Sequence, residues 1–191
     1  IGGVKRDLPY GFAQRARAKL DLFKQRIQEY ESLFDESTVF LVRTQGVGYT
    51  KAEEMVNHGV TGPNVRAAGV DYDVRWAHPY SVYSELDWAP AVERSSIKGA
   101  DCYDRYRVRV TEMVESANMV LEALERMPGG AETHYEPGDP AIIAKAPSRA
   151  PEGTFGSHHF EDSRGESMFH IVGGGEGRGK NPYRVSIRSP M

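Results

Sequence analysis

Apolar side chains recur at three- and four-residue intervals along two stretches of this chain and at two-residue intervals near its end. In the first stretch Phe12, Ala16, Leu20, Phe23, Ile27, Tyr30 and Phe34 form one stripe, while Arg15, Arg17, Lys19, Lys24, Gln28 and Glu31 fill the other faces. That spacing predicts a long amphipathic helix. Asp7 as N-cap and Pro9 in the first turn would open it. The second stripe is Tyr106, Val110, Met113, Val114, Ala117, Val120, Leu121 and Leu124. It predicts a helix from about Tyr103 to Met127, capped by Asp101 and ended by Pro128-Gly129-Gly130.

Between them, Ser37 to Gln45 is a short mixed stretch. Thr50 and Glu53 have the spacing of a capping box, which predicts a short helix to about His58 with Gly59 as its stop. From Gly62 to Trp88, glycine, proline and aromatic residues indicate an ordered but irregular segment. Ala131 to Gly153 is proline-rich and poor in large apolar residues, which suggests a surface crossing. Thereafter the period changes to two: Met168–Val172 and Tyr183–Arg188 read as strands, and Gly173 to Pro182 as their connection. In the second of these, Val185 and Ile187 alternate with Arg184, Ser186 and Arg188. The expected class is α+β, mainly α, with long helices packed as a bundle and a small C-terminal antiparallel region. Residues 1–130 form the helical part, 131–153 the connection and 154–191 the β region.

Composition narrows the functional classes. The 191 residues are 39% hydrophobic, enough for a core in one domain or a domain with an appendage. With 24 Lys+Arg against 27 Asp+Glu the net charge is −3, so no field marks a nucleic-acid or acidic-lipid binder. No apolar run approaches the ~18 residues of a membrane helix, and the N-terminus lacks a signal-peptide pattern. Cys102 is the single cysteine, which excludes an internal disulfide and a CxxC metal knuckle in these residues. The chain opens on Ile1 and stops just after a strand-like run, so it reads as a piece of a longer protein.

Four clusters invite a chemical reading. Gly174 to Asn181 approximates the phosphate-loop pattern, but Asn181 replaces the required hydroxyl and a strand is expected where the loop needs a helix. His158 and His159 are adjacent, and neighbours on a strand point to opposite faces, so they would not chelate one ion together. Asp71, Asp73, Glu85 and Asp87 read as solvated or salt-bridged carboxylates. Asp101, Asp104, Arg105, Arg107, Arg109 and Glu112 crowd the start of the second long helix, where an ion-pair network at an interface is expected. The residues by themselves supply no nucleophile, acid–base pair or metal site.

Four segments carry a resemblance that goes further. Ile1-Gly2-Gly3-Val4 with Asp7-Leu8-Pro9, the run from Gly59 to Trp88, Asp101 to Arg109 followed by Glu112-Met113 and Ser116, and Arg164-Gly165-Glu166 followed by Pro182-Tyr183-Arg184-Val185 appear in order from one end to the other. Together they resemble the 49 kDa-type subunit of respiratory complex I, its D subunit, which is related to nickel–iron hydrogenase large subunits. The resemblance implies a fragment of a larger hydrogenase-like fold that shapes a quinone pocket. The parent would be a proton-translocating NADH (or other donor):quinone oxidoreductase. The family's iron–sulfur clusters lie in neighbouring subunits and NADH is handled elsewhere in the complex, so this chain is expected to bind no cofactor or metal and to lack turnover alone. Partners implied are quinone, the iron–sulfur (B) subunit, the C subunit and the membrane (H) subunit, in a peripheral arm at the cytoplasmic face of the membrane.

The quinone-contacting His and Tyr of the family lie upstream of the first motif. Arg164 matches the arginine that hydrogenase relatives carry in a Pro-Arg-Gly motif over their metal centre, with Ser163 in place of the proline. Arg164 is therefore the candidate for quinone-pocket support, and Asp101, Asp104, Arg105 and Arg109 are the candidate structural network. The short passage from Pro147 to Arg164 resembles archaeal-type enzymes that oxidise a reduced deazaflavin or another donor. An energy-converting nickel–iron hydrogenase large subunit, or a purely structural fragment, is the alternative.

Overall fold

A computed structural model describes residues 8–92, 99–127, 151–175 and 181–190. The elements run α1 (Phe12–Asp35), α2 (Thr38–Thr44), β1 (Thr50–Lys51), α3 (Ala52–Asn57), α4 (Pro63–Ala67), α5 (Val74–Ala77), a 3-10 turn (Tyr83–Glu85), β2 (Gly99–Ala100), α6 (Cys102–Arg126), β3 (Phe155–Asp162), β4 (Gly165–Val172) and β5 (Arg184–Arg188). β1 and β2 pair antiparallel, and β3, β4 and β5 form an antiparallel sheet in that order.

Both long helices exist; the first starts later than expected, the second starts at its expected cap, and the buried faces of both differ. α1 begins after Gly11, which has φ 68 and gives no side-chain cap; the expected cap Asp7 lies outside the described residues. Of the α1 stripe only Ile27 is buried, joined by Ala13 from outside it, and Tyr30 is 55% exposed. Most of that apolar face is therefore left uncovered by the described residues. α6 buries Val108, Val110, Ala117, Met119 and Leu124, while Met113 and Val120 are exposed. The helix is packed against α1 on one side and α4 on the other, so its buried surface is wider than one stripe.

Ser37 to Gln45 contains a helix that its β-branched residues conceal. The Ser37 hydroxyl caps it by accepting from the Phe40 amide, and the Phe40 ring lies 5.1 Å from both Phe34 and Tyr106. The expected capping box at Thr50 and Glu53 does not form, because Thr50 and Lys51 are taken by pairing with Ala100 and Gly99. α3 still ends near His58, with Gly59 at φ 69. The core joins Met55, Val65, Ala67, Ala68, Ala100 and Val108, so α3, α4 and α6 meet around the β1–β2 bridge.

At the head of α6 the expected cap is complete. Asp101 accepts from the Asp104 amide at 2.9 Å, Asp104 returns the bond to the Asp101 amide at 3.0 Å, and Asp101 also accepts from the Gly46 amide at 2.7 Å. Asp101→Ala removes all the side chain's bonds and is expected to cost about 1–2 kcal/mol. Asp101→Asn keeps an acceptor for the Asp104 amide but turns its NH2 toward the Gly46 amide, so it should recover only part of that loss. Thermal denaturation of the two variants side by side checks this, and equal midpoints would remove the cap from the account.

Candidate functional site

The site is built where two backbone segments touch. Gly62 has φ 74, and a Cβ placed there would lie 2.2 Å from the Gly165 Cα. Gly165, at φ 134, would in turn press a Cβ to 2.8 Å from the carbonyl and hydroxyl oxygens of Thr61. Only two glycines permit this approach. The Thr61 hydroxyl then accepts from the Glu166 amide at 3.0 Å. This contact seats the two-residue turn Ser163–Arg164, which joins β3 to β4, on the start of α4.

Seating the turn places the inner face of the hairpin over Arg66, whose side chain is only 2% exposed. Its guanidinium donates to Glu112 at 2.7 Å, to Glu161 at 3.0 Å and to the Tyr72 carbonyl at 3.1 Å, and pairs with Asp73 at 3.1 Å. Asp73 is fully buried, caps α5 through the Arg75 amide at 2.9 Å and holds the Arg75 guanidinium at 2.7 Å. Arg75 also lies over the Trp88 and Tyr83 rings, at 4.7 and 5.5 Å from their centroids. Four elements thus converge on one buried guanidinium. Charges this deep persist only when paired and hydrogen-bonded.

A second cluster adjoins the first. Glu166 accepts from Tyr72 Oη at 3.1 Å, meets His159 Nδ1 at 2.5 Å and pairs with Arg188 at 3.4 Å. Burial, reinforced by the Glu166 carboxylate, pushes the Tyr72 phenol up to about 12, so it remains a neutral donor. Burial also raises Glu161 above the usual carboxylate range; Asp73 adds to the rise, and Arg66 and Arg75 oppose it. Burial opposes the charge on Arg75, but the bonds to Asp73 outweigh it and hold that group above its ordinary value. Beside these groups opens a cleft of about 500 Å³ lined by Tyr72, His78, Tyr80, His158, His159 and Glu166 among others.

The expected site residues lie outside this buried cluster. Arg164 sits exposed in the β3–β4 turn, and its side chain has no ion pair or hydrogen bond among the described residues. The flanking carboxylates face elsewhere: Glu161 to Arg66, Glu166 to His159, and Asp162 to the Ser163 amide. Asp101 and Asp104 serve the helix cap. Arg105 donates to the carbonyls of Gly48 and Ala100, and Arg109 donates to the Arg105 carbonyl and Asn64, so among the described residues these four are held by hydrogen bonds rather than by ion pairs. The ion pairs of this region run from Arg107 to Glu31 and Asp35 on α1 and from Glu112 to Arg66. Asp73, expected to be salt-bridged or solvated, is salt-bridged.

His158 and His159 do leave β3 on opposite faces, His158 toward the Tyr80 ring at 5.5 Å and His159 toward Glu166. No group of three or more His, Cys, Asp or Glu among the described residues is placed to hold a metal ion. The single thiol, Cys102, does not fit the four-ligand requirement of an iron–sulfur cluster. Within the phosphate-loop-like run, 176–180 lie outside the described residues, but β4 precedes it and β5 follows it. A strand therefore stands where phosphate binding needs a helix.

Arg66 and Tyr72 were not singled out by sequence reasoning. A signal did exist, since Arg66, Asp73, Arg75, Glu112 and Glu166 all fall inside the segments that carry the family resemblance.

This arrangement defines a class. The fold is that of a subunit from respiratory membrane complexes: it superposes on a chain of the membrane-bound sulfane sulfur reductase, an archaeal respiratory membrane complex, with TM-score 0.75 and 30% identity over 99% of this chain and 48% of that one. The family described as respiratory-chain NADH dehydrogenase, 49 Kd subunit, matches residues 1–191, and the chain belongs to that family. The D subunit of the NADH-quinone oxidoreductase of Flavobacterium johnsoniae is 38% identical over 214 aligned residues, covering all of this chain and 48% of that protein. The D subunit of the F(420)H(2) dehydrogenase of Methanosarcina mazei is 37% identical over 190 residues, again with 48% of its length covered. NADH-quinone oxidoreductase subunit 4 of Thermus thermophilus is 37% identical over 211 residues, with 49% covered. The chain spans about half the length of the relatives it matches.

Proposed function

We propose that this chain is part of the quinone-reducing subunit of a proton-translocating NADH (or other donor):quinone oxidoreductase, where it helps to shape the quinone pocket beside the terminal iron–sulfur cluster of a neighbouring subunit. The observation that carries this reading is a coincidence of two facts: the family match spans residues 1–191, and its matching segments meet in space at the Gly62–Gly165 contact. Residues far apart in sequence are held there by buried charges, which suits a rigid wall beside a reaction site.

Uncovered apolar surface supports a place inside an assembly. Leu33, Val39 and Val42 are 66%, 71% and 73% exposed, and Ile187 on the outer face of the sheet is 63% exposed. The remainder of the polypeptide and neighbours such as the B, C and H components of the complex would cover them. No helix among the described residues is long and apolar enough to cross a membrane. Membrane attachment would come through partners, in the peripheral arm at the cytoplasmic face. As to the donor, the Methanosarcina alignment has 190 positions for a chain of 191, whereas the Flavobacterium alignment has 214. The shorter form favours a deazaflavin-type or other donor over NADH. Two CxxC pairs in the full-length protein would instead indicate the hydrogenase alternative.

Arg164 provides the test. Its guanidinium stands on the seated turn with no partner among the described residues, so in the assembled subunit it is available to the pocket. Arg164→Met keeps stem volume and removes the charge. Expected is a fall of about tenfold in quinone reduction, or about 1.4 kcal/mol of barrier, with reduction of an artificial acceptor unchanged. The ratio of the two rates in assembled complex is the measurement. An unchanged ratio takes Arg164 out of the pocket and leaves a scaffolding role.

A further inference from the structure

Glu161 and Glu166 face each other directly across the β3–β4 ladder. Directly opposed residues leave on the same face with Cβ atoms about 4.5–5.5 Å apart, where like charges destabilise the pair. Both side chains are buried, at 5% and 6% exposure. They are served unequally. Glu166 has Tyr72, His159 and Arg188 on its two oxygens, whereas Glu161 Oε1 accepts from Arg66 and Glu161 Oε2 is buried with no hydrogen-bond partner. An ionised carboxylate would bury half its charge on that bare oxygen, at a cost of several kcal/mol.

The surrounding charges agree. Facing Glu161 are Arg66 from α4, Asp73 and Arg75 from the start of α5, and Glu112 across Arg66 from α6. Tyr80 accepts from the Glu161 amide at 3.0 Å and is neutral, its phenol raised by burial. Arg109, beyond Glu112, is held below its usual value by burial. With Glu161 neutral, the two central guanidiniums balance Asp73 and Glu112; ionised Glu161 adds an anion that only the more distant Arg109, beyond Glu112, offsets. Beyond Glu166, His159 is 43% exposed at the wall of the cleft, so the pair sits one residue from solvent.

We propose that Glu161, set opposite the Glu166 carboxylate, is a proton-binding site that holds one proton. Loading converts the Glu161 carboxylate to the acid and unloading returns the proton. No electron moves in the step. In the quinone-reducing assembly proposed above, on which this inference rests for its setting, such a site can supply or store a proton beside the reaction.

The test is pH-difference infrared spectroscopy of the assembled parent complex. Wild type should show a protonated carboxyl C=O band at neutral pH that shifts in D2O and disappears as pH rises through the Glu161 titration. Glu161→Gln should lose that band and that titration; it retains the oxygen that accepts from Arg66, and the centre stays charge-balanced. Glu166→Gln removes the opposing charge, so its titration should move to lower pH. Absence of the band in wild type, or its persistence unchanged in Glu161→Gln, overturns the proposal. If Glu161→Gln does not assemble, the Glu166→Gln shift decides alone, and an unmoved titration overturns it. Quinone reduction by the same wild-type preparation separately tests the function. A complex that shows the band but reduces no quinone would refute that reading and leave the proton site standing.

Discussion

Arg66→Met is expected to destabilise this part of the subunit by about 3–5 kcal/mol, because it strands the carboxylates of Asp73 and Glu112 and the acceptor oxygen of Glu161 rather than merely deleting one contact. The guanidinium is the shared partner of Asp73, Glu112 and Glu161, and it also satisfies the Tyr72 carbonyl. Methionine fills much of the same volume, so the loss reports charge and hydrogen bonding, not a cavity. Arg66→Lys keeps the charge but presents a point donor in place of a planar fork, and cannot reach every partner at once. An intermediate loss is expected for it. The measurements are the amount of assembled complex in membranes and its thermal midpoint. Stability of Arg66→Met within about 1 kcal/mol of wild type would mean that these carboxylates find water or other partners, contrary to the geometry described.

Gly62→Ala should release the hairpin. The added Cβ would meet the Gly165 Cα at 2.2 Å and the Arg164 carbonyl oxygen at 2.7 Å, and both neighbours are backbone, so neither can rotate away. The left-handed φ of 74 adds the strain that any side chain meets there. Together a cost of about 3 kcal/mol or more is expected. Gly46→Ala is the control, because its φ is 69 but nothing lies within 4 Å of the added atom. It should cost only about 1–2 kcal/mol. Hydrogen exchange separates the two: Gly62→Ala should lose protection at the amides of β3 and β4 while α6 keeps its own. Equal effects at the two glycines would show that the close approach contributes nothing.

Periodicity made the two long helices and the β4–β5 pairing legible, since each repeats a pattern over many residues. Elements set by single contacts were hidden. α2 has the composition of a strand, and only the Ser37 cap and the ring cluster around Phe40 make it helical. β3 reads as Phe-Gly-Ser-His-His-Phe-Glu-Asp, with no clean alternation, because its inner face is polar. The sheet in fact inverts the ordinary rule: His159, Glu161, Glu166 and Arg188 face inward, while Val185 and Ile187 face out. A pattern reader expects apolar residues inside, so the chemistry of this face could not be seen from alternation alone.

The candidate site was half legible. Resemblance led to the segments that meet there, but not to Arg66, whose four partners come from positions up to 95 residues distant. Acidic and basic residues near α6 were visible as a crowd. Which of them pair depends on α1 and α4 arriving at opposite sides of that helix: Arg107 turns to α1 and Glu112 to α4. Sequence spacing along one helix carries no information about that choice.

The register of β3 against β4 limits how this gene can change length. Asp162 pairs with Gly165 and Glu161 with Glu166, through a turn of two residues. Inserting or deleting one residue in either strand would turn every later side chain to the opposite face, carrying Glu161 or Glu166 away from Arg66 and His159. A change of two would preserve the face but break the opposition of the carboxylates. Surviving insertions and deletions must therefore fall outside the paired strands, and the hairpin can vary in spelling while remaining fixed in count.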